Sequence, residues 1–404
     1  MTSCINCDTI AEVIARTIEP RILRLATTFP AVAIVGARQT GKTTLARHAF
    51  PDLPYISLEA PDDREFAQTD PRGFLRRFPE GAILDEVQRT PDLFAFLQGV
   101  IDQDRRPGKW ILTGSHNFLL LGGVSQSLAG RVAPVEILPF DCDELALAQG
   151  RATGWLETIH RGFYPEPATT PVAAAEWYAA YVATYVDRDV RSVLNVGDLA
   201  TFERFVRLAA SRCGSLLNLS SLAVDSGISQ PTARSWMSVL EASGLVTLLK
   251  PHHANFGKRL IKSPKLYWND TGLLCFLLRI TDGEGLCTHP ARGAVFESFV
   301  VAETRKTLAA SGGLAEPFFW RDASGHEVDL LLDAGARLHA MEAKSSETIQ
   351  ADLFRGLEHY AEIAGKQCAS TTLIYPGDSA YERSGHAVVP WRKLGTRVSS
   401  LEPR

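Results

Sequence analysis

The chain has 404 residues, 45% apolar and 22% charged, with a formal net charge of −4. That composition suits a globular protein of roughly two to four domains and excludes a polycation, so any nucleic-acid contact must come from a local patch. No apolar run approaches the roughly 18–20 residues of a membrane helix.

The N-terminus, MTSCINCDTI, lacks the basic and apolar regions of a signal peptide. The cysteines number seven and are scattered, which favours a reducing cytoplasm over a disulfide framework. Cys4 and Cys7 form a lone C-x-x-C with no second pair nearby to complete a zinc site, so residues 1–18 read as a tail.

AVAIVGARQTGKTTLARHAF reads as strand, loop and helix. Ala31 to Val35 form a buried-strand run. Gly36-x-x-x-x-Gly41-Lys42-Thr43 follows, a phosphate-cradling loop. Backbone N–H groups of Gly36, Ala37, Arg38, Gln39, Thr40, Gly41, Lys42, Thr43 and Thr44 would converge on the phosphates of ATP. The helix starting near Lys42 adds its positive dipole end. Lys42 would reach the β- and γ-phosphates and Thr43 would hold Mg²⁺.

A second strand in EGAILDEVQR ends in an acid pair. Asp85 would bind Mg²⁺ through water and Glu86 would polarise the attacking water, which favours hydrolysis over mere binding. KWILTGSHNF is a third buried strand, ending in Thr113, Ser115 and Asn117. Polar groups there line the ligand crevice of an open parallel sheet, where Thr113 or Ser115 could sense the γ-phosphate. Arg131 precedes a last strand. It could neutralise transition-state charge in its own site or a neighbour's, or simply pair a surface acid.

These residues, GARQTGKTTL, ILDEVQR, ILTGSHNF and SLAGRV…LPF, resemble the ATPase core of bacterial and archaeal AAA-type proteins related to the signal-transduction ATPases. The resemblance continues through ATYVDRDVR and KSPKLYWNDTGLL. It implies a C-terminal domain that looks restriction-endonuclease-like.

The Pro-rich stretch RGFYPEPATTP reads as a linker after the core. In the helix that follows, Trp177, Tyr178, Tyr181 and Tyr185 fall at core spacing. NLSSLAVDSGISQPTARSWMSVLEASGLVTLLK then gives helix, Gly227 turn, helix and strand. Ser229 is the cap and Pro231 sits in the first turn, the order of a winged helix-turn-helix. Gln230, Thr232, Arg234 and Ser235 open the second helix, the one that enters the major groove in DNA-binding proteins. KPHHANFGKRLIKSPK holds five Lys/Arg, two His and no acid, a patch that could track a phosphate backbone. A structural relay of nucleotide state is the competing reading for this module.

In the C-terminal third, ARGAVFESFVVAETRKTLAA reads as a helix carrying Glu297. HEVDLLLDAGARLHAMEAKSS reads as a hairpin. A two-residue Gly335-Ala336 turn of type II′ puts Asp329 opposite Glu342 and Glu327 opposite Lys344. All four fall on one face. Opposed Cβ atoms are about 4.5–5.5 Å apart, so Asp329 and Glu342 repel unless a cation lies between them. Glu297, Asp329, Glu342 and Lys344 match, one by one, the PD-(D/E)XK phosphodiesterase superfamily. That resemblance implies a metal held by the three acids, with Lys344 beside the attacking water. A solvated face with a Glu327–Lys344 pair is the alternative.

The expected protein is thus α/β: a P-loop NTPase parallel-sheet core (19–140), a helical linker region (141–200), a winged helix-turn-helix (201–270) and a PD-(D/E)XK nuclease-like domain (271–404). It would be a cytoplasmic ATPase that binds ATP and Mg²⁺, contacts DNA and forms a homo-oligomer in which Arg131 acts in trans. The rival is a nucleotide-gated switch or scaffold whose nuclease-like domain does not cut.

Overall fold

The computed structural model describes residues 13–114, 128–150, 153–185, 199–252 and 263–402. Cys4, Cys7, Ser115, Asn117 and the 253–262 part of the basic segment lie outside the described residues.

The first layer is a five-stranded sheet in the order β2-β3-β4-β1-β5, parallel throughout. In chain order its elements are α1 (Glu19–Ala26), β1 (Ala31–Val35), α2 (Lys42–Ala49), β2 (Tyr55–Ser57), α3 (Pro61–Thr69), α4 (Pro71–Arg76), β3 (Ala82–Asp85), α5 (Leu93–Gln103), β4 (Trp110–Gly114) and β5 (Val132–Glu136). Every residue of β1 is buried because helices cover both faces of a parallel sheet. Ala31, Ala33 and Val35 pack toward α4 and α5, while Val32 and Ile34 pack toward α1 and α2. β1 lies between β4 and β5, so the C-terminal ends of β1, β3 and β4 meet at one crevice.

Next come α6 (Cys142–Gln149), α7 (Trp155–Arg161), α8 (Pro165–Thr169), α9 (Ala174–Tyr185), α10 (Leu199–Ser211), α11 (Leu219–Ser226) and α12 (Gln230–Ala242), then the antiparallel pair β6 (Val246–Leu249) and β7 (Lys265–Trp268). The Pro-rich stretch is not the expected linker. Pro165 starts α8 in its first turn, and Phe163 and Tyr164 are buried. Tyr164 packs on Trp177 and Tyr181 at centroid distances of 5.0 and 5.1 Å, and Trp177, Tyr178 and Tyr181 are buried, as their spacing predicts; the Tyr185 side chain lies outside what the structure describes. α11 and α12 match the sequence reading closely. Asn218 caps the first, Gly227 ends it with φ +73°, and the Ser229 hydroxyl accepts from the Thr232 N–H at 3.2 Å. Gln230, Arg234 and Ser235 are exposed and Thr232 half-buried.

The last third holds α13 (Thr271–Leu277), α14 (Gly283–Thr288), α15 (Arg292–Ser311), β8 (Glu316–Arg321), β9 (Glu327–Asp333), β10 (Leu338–Ala343), α16 (Arg355–Ala364), β11 (Cys368–Tyr375), β12 (Tyr381–Arg383), β13 (His386–Pro390) and α17 (Leu394–Leu401). Its six-stranded mixed sheet runs β12-β13-β11-β10-β9-β8. α15 packs on one face through Val295 and Phe299, and α16 on the other through Leu357 and Tyr360. One hydrophobic cluster runs from Phe140 through Trp236 and Trp268 to Phe299 and Val398, so packing is continuous across residue 270.

The hairpin register is the one the turn predicts: Leu338 faces Asp333 and Met341 faces Leu330. Gly335 has φ +79° while Ala336 has no positive φ, as a type II′ turn needs. The strict alternation fails, however. A register shift against β8 between Phe318 and Trp320 puts Val328 and Leu331 in the α16-side core, with Leu330 on the α15 side. Asp329 therefore turns toward α15, as a bulge allows. No described helix is long and apolar enough to cross a membrane.

Candidate functional site

The phosphate loop leaves β1 at Gly36, where an added Cβ would lie 2.1 Å from the Ile137 carbonyl oxygen. Gln39 (φ +63°) and Gly41 (φ +89°) turn the loop through left-handed conformations before α2 begins. Thr40 Oγ1 and Lys42 Nζ both donate to the Ala37 carbonyl, at 2.9 and 2.7 Å, which holds the loop closed over itself.

Asp85 ends β3 with only 6% exposure. Its carboxylate accepts from Thr43 Oγ1 at 3.0 Å and Tyr55 Oη at 2.8 Å, and from the Thr113 hydroxyl. Burial and the adjacent Asp85 carboxylate push the Tyr55 phenol up to about 12, so it stays a donor. A buried carboxylate ringed by hydroxyls is a hard-oxygen set, and it fits Mg²⁺ held by Thr43 and Asp85. Thr113 is bonded to Asp85. Glu86 follows in a left-handed conformation (φ +56°), and the Gln88 amide donates to its carboxylate.

Arg131 requires a correction. It sits at the N-terminal end of β5, where its carbonyl accepts from Ala31 N–H. The phosphate loop is at the opposite end of β1, about 16 Å away at the rise of a strand. Arg131 makes a two-pronged pair with Asp102 at 2.7 and 2.8 Å. A role in its own site is excluded.

The expected tail also does structural work. Arg16, 8% exposed, donates to the Thr40 carbonyl at 2.9 Å and the Leu138 carbonyl at 2.8 Å, and pairs with Glu144 at 2.9 Å. No motif in the sequence announced either Arg16 or Tyr55.

The acids of the last third do converge. Ala343 N–H donates to Asp329 Oδ2 at 3.0 Å, where the β9–β10 ladder has ended. Asp329 N–H points at Glu342 Oε2 (3.4 Å), and Lys344 Nζ donates to Glu342 Oε1 at 2.7 Å. The Glu327–Lys344 pair does not form; Glu327 instead pairs with Arg321 at 2.9 Å and with Lys265.

Lys265 is the residue sequence reasoning misplaced. It was counted in the basic patch, but is 2% exposed and donates to Glu297 at 2.8 Å, with Asp329 at 3.9 Å. Tyr267 also donates to Glu297. Burial and then the Asp329 charge push Glu297 up to about 7 and Glu342 up to about 8. Burial opposes the charge on Lys265, but Glu297, Asp329 and Glu327 outweigh it and raise its pKa. Lys344 is raised in the same way, by Glu342 and Asp329 against burial. Carboxylates that resist ionisation together mark a place short of positive charge. That donor set fits a divalent ion of the Mg²⁺ class beside Asp329 and Glu342, while Lys265 fills the Glu297 side.

The two sites are joined. A Cβ on Gly244, at the end of α12, would lie 3.3 Å from Ala37 N of the phosphate loop. Asn269 Nδ2 donates to the Gly244 carbonyl at 2.8 Å, and its Oδ1 accepts from Arg305 at 2.8 Å. Arg305 also donates to Thr247 at 2.5 Å and to Glu136, the last residue of β5, at 2.9 Å.

The parallel sheet and the loop-and-acid geometry define a P-loop ATPase of the AAA type. The AAA domain model matches residues 28–146, and two domains of unknown function follow, DUF8612 over 153–284 and DUF4143 over 292–394. The chain belongs to the family of uncharacterized proteins from Mycobacterium bovis and Mycobacterium tuberculosis, with 31% identity over 362 residues, 89% of this chain and 79% of each relative. Among solved structures it is similar to a Walker-type ATPase of Pyrococcus abyssi (15% identity, TM-score 0.45, 66% of this chain and 96% of that one). It is also similar to a Thermotoga maritima RuvB variant (18% identity, TM-score 0.30, 57% and 87%).

Proposed function

We propose that the chain is an Mg²⁺-dependent ATPase whose nucleotide state is relayed to a metal-dependent phosphodiesterase site acting on DNA. The carrying observation is Arg305, which ties β5 of the nucleotide core, the β6–β7 hairpin and α15 into one hydrogen-bonded unit. In this reading the ATPase core extends to residue 140 and α10 to β7 form a winged helix. The sheet from β8 onward is a PD-(D/E)XK-like module. The exposed Gln230, Arg234 and Ser235 face would contact DNA.

Lys42 holds the phosphates and Glu86 orients the attacking water. Thr113 positions Asp85, and Ser115 would sense the γ-phosphate. Arg131, released from Asp102, completes the site of a neighbouring copy in a homo-oligomer. At the second site Asp329 and Glu342 hold the ion, whose charge would stabilise the attacked phosphate. Lys344 orients water there. The setting is the cytoplasm.

A second reading, a switch that does not cleave, draws on Lys265, whose ammonium already serves Glu297, Glu327 and Asp329. A Mg²⁺- or Mn²⁺-dependent nuclease assay on wild type, Glu342→Ala and Lys265→Met separates the two. Cleavage lost in Glu342→Ala supports the nuclease. No cleavage by wild type in any nucleotide state, with ATP hydrolysis intact, leaves the switch.

A further inference from the structure

We propose that Asp322, His326 and His359 form a binding site for a zinc-class divalent ion. The site is separate from both sites above. Asp322 and His326 belong to the turn joining β8 and β9, and His359 lies on α16. His359 lies one turn beyond Gly356 of α16, where an added Cβ would lie 3.6 Å from Glu342 Oε1, so the cluster shares the α16 side with Glu342 but no ligand atom with the acid–lysine site.

The carboxylate is pre-set. Asp322 is 1% exposed, and its Oδ1 accepts from the N–H groups of Ser324 at 2.9 Å and His326 at 3.0 Å. A further backbone bond, Asp322 N–H to the His326 carbonyl at 3.0 Å, closes the turn. With Oδ1 committed to the backbone, Oδ2 is aimed at two imidazoles. It lies 3.4 Å from His326 Nδ1 and 3.4 Å from His359 Nε2.

Those two distances are long for N–H···O bonds, which fall at about 2.7–3.2 Å. They are the right length for the edge of a coordination tetrahedron. With metal–nitrogen and metal–oxygen bonds of about 2.0–2.1 Å at the tetrahedral angle, neighbouring ligand atoms stand about 3.3–3.4 Å apart. All three ligand atoms lie within 4.8 Å of one another. Rotation of His326, whose side chain is 50% exposed, can close the remaining edge.

The two imidazole rings already lie together, with centroids 3.9 Å apart at 27°; a tetrahedral ion would splay them, which the half-exposed His326 ring permits. His359 is further held against the Trp320 ring at 6.1 Å. Two imidazoles and one carboxylate select zinc-class ions over Mg²⁺, and the solvent side of His326 leaves a fourth position for water or an exchangeable ligand.

The test uses the full chain, stripped with chelator and titrated with Zn²⁺ by calorimetry, with Mg²⁺ in excess throughout to fill the hard-oxygen sites. Wild type binds one Zn²⁺ per chain, gains melting temperature on binding, and with Co²⁺ gives the visible bands of a tetrahedral site. A Cys4→Ser/Cys7→Ser double variant does the same. His326→Ala and His359→Gln each lose the ion by more than the roughly 10–100-fold that second-shell changes cost. His326 is half exposed, so its variant keeps the fold, as far-UV circular dichroism verifies. Absence of Zn²⁺ binding in wild type overturns the proposal. So does binding that survives in His326→Ala or disappears with the cysteines.

Discussion

Replacing Glu342 by Gln should make the protein more stable at alkaline pH, although it removes a group from a candidate active site. Burial and the neighbouring Asp329 charge raise Glu342 from 4.5 to about 8. Between those values the folded state holds a proton that the unfolded chain has lost, so wild-type stability falls as pH rises through that window. Each tenfold displacement of proton affinity is about 1.4 kcal/mol. The Lys344 ammonium beside Glu342 reduces the simple product, and the ionised site costs the folded state roughly 2–4 kcal/mol by pH 9. Gln keeps the shape without the charge. It gives up the charge-assisted bond to Lys344, about 1–2 kcal/mol, and that lysine can turn to solvent. The assay is the melting midpoint of wild type and Glu342→Gln from pH 5 to 9, with and without Mn²⁺. The curves should cross: the variant is level or slightly lower at pH 5 and higher by a few degrees at pH 9. Mn²⁺ should stabilise wild type at high pH and leave the variant nearly unchanged. Parallel pH curves would refute the reasoning, because they would mean Glu342 ionises in the folded state as freely as in water.

Lys42→Ala should abolish binding of a fluorescent ATP analogue with the melting temperature little changed; normal affinity would remove the phosphate-loop assignment. Gly244→Val adds branched bulk at φ +73° against Ala37 N at 3.3 Å. It should weaken ATP binding at least about tenfold, equivalent to about 1.4 kcal/mol, measured by the same titration. Arg305→Met should leave ATP affinity within a few fold but erase any nucleotide-dependent change in hydrogen exchange of β9 and β10; an unchanged response would show that coupling takes another route. Arg131→Ala should leave ATP binding intact and lower hydrolysis only where wild-type activity rises with protein concentration.

The features legible in the sequence are those set by short-range rules. The phosphate loop needs glycine where Gly36 meets Ile137, and the acid pair must end a strand. The Gly335-Ala336 turn fixes which residues oppose across β9 and β10 because a two-residue loop allows little else. The bulge that swings Asp329 toward α15 depends on β8, a third strand, and the hairpin alone carries no sign of it. Lys265 was hidden for a similar reason. Its three acidic neighbours lie 32 to 64 residues further along the chain, so it read as one more cation in a basic run. For Arg131 only the own-site option fails, and the sequence held a usable signal against it: a residue just before a parallel strand lies at the end away from the ligand crevice. The Pro-rich stretch misled because proline can begin a helix as well as break one.

α15 carries Glu297 in the acid cluster and Arg305 on the nucleotide core, about 12 Å apart along a continuous helix. A helix is stiff along its axis, so a shift of about an ångström at Glu136 arrives at Glu297 nearly undiminished. The 2.8 and 3.9 Å contacts of Lys265 with Glu297 and Asp329 differ by about that much. Coupling of this kind runs both ways by thermodynamic necessity. A ligand that draws Glu297 away from Lys265 must change ATP affinity by the same factor by which ATP changes affinity for that ligand. On the proposed relay, the C-terminal module would be an input to the nucleotide core as much as its output.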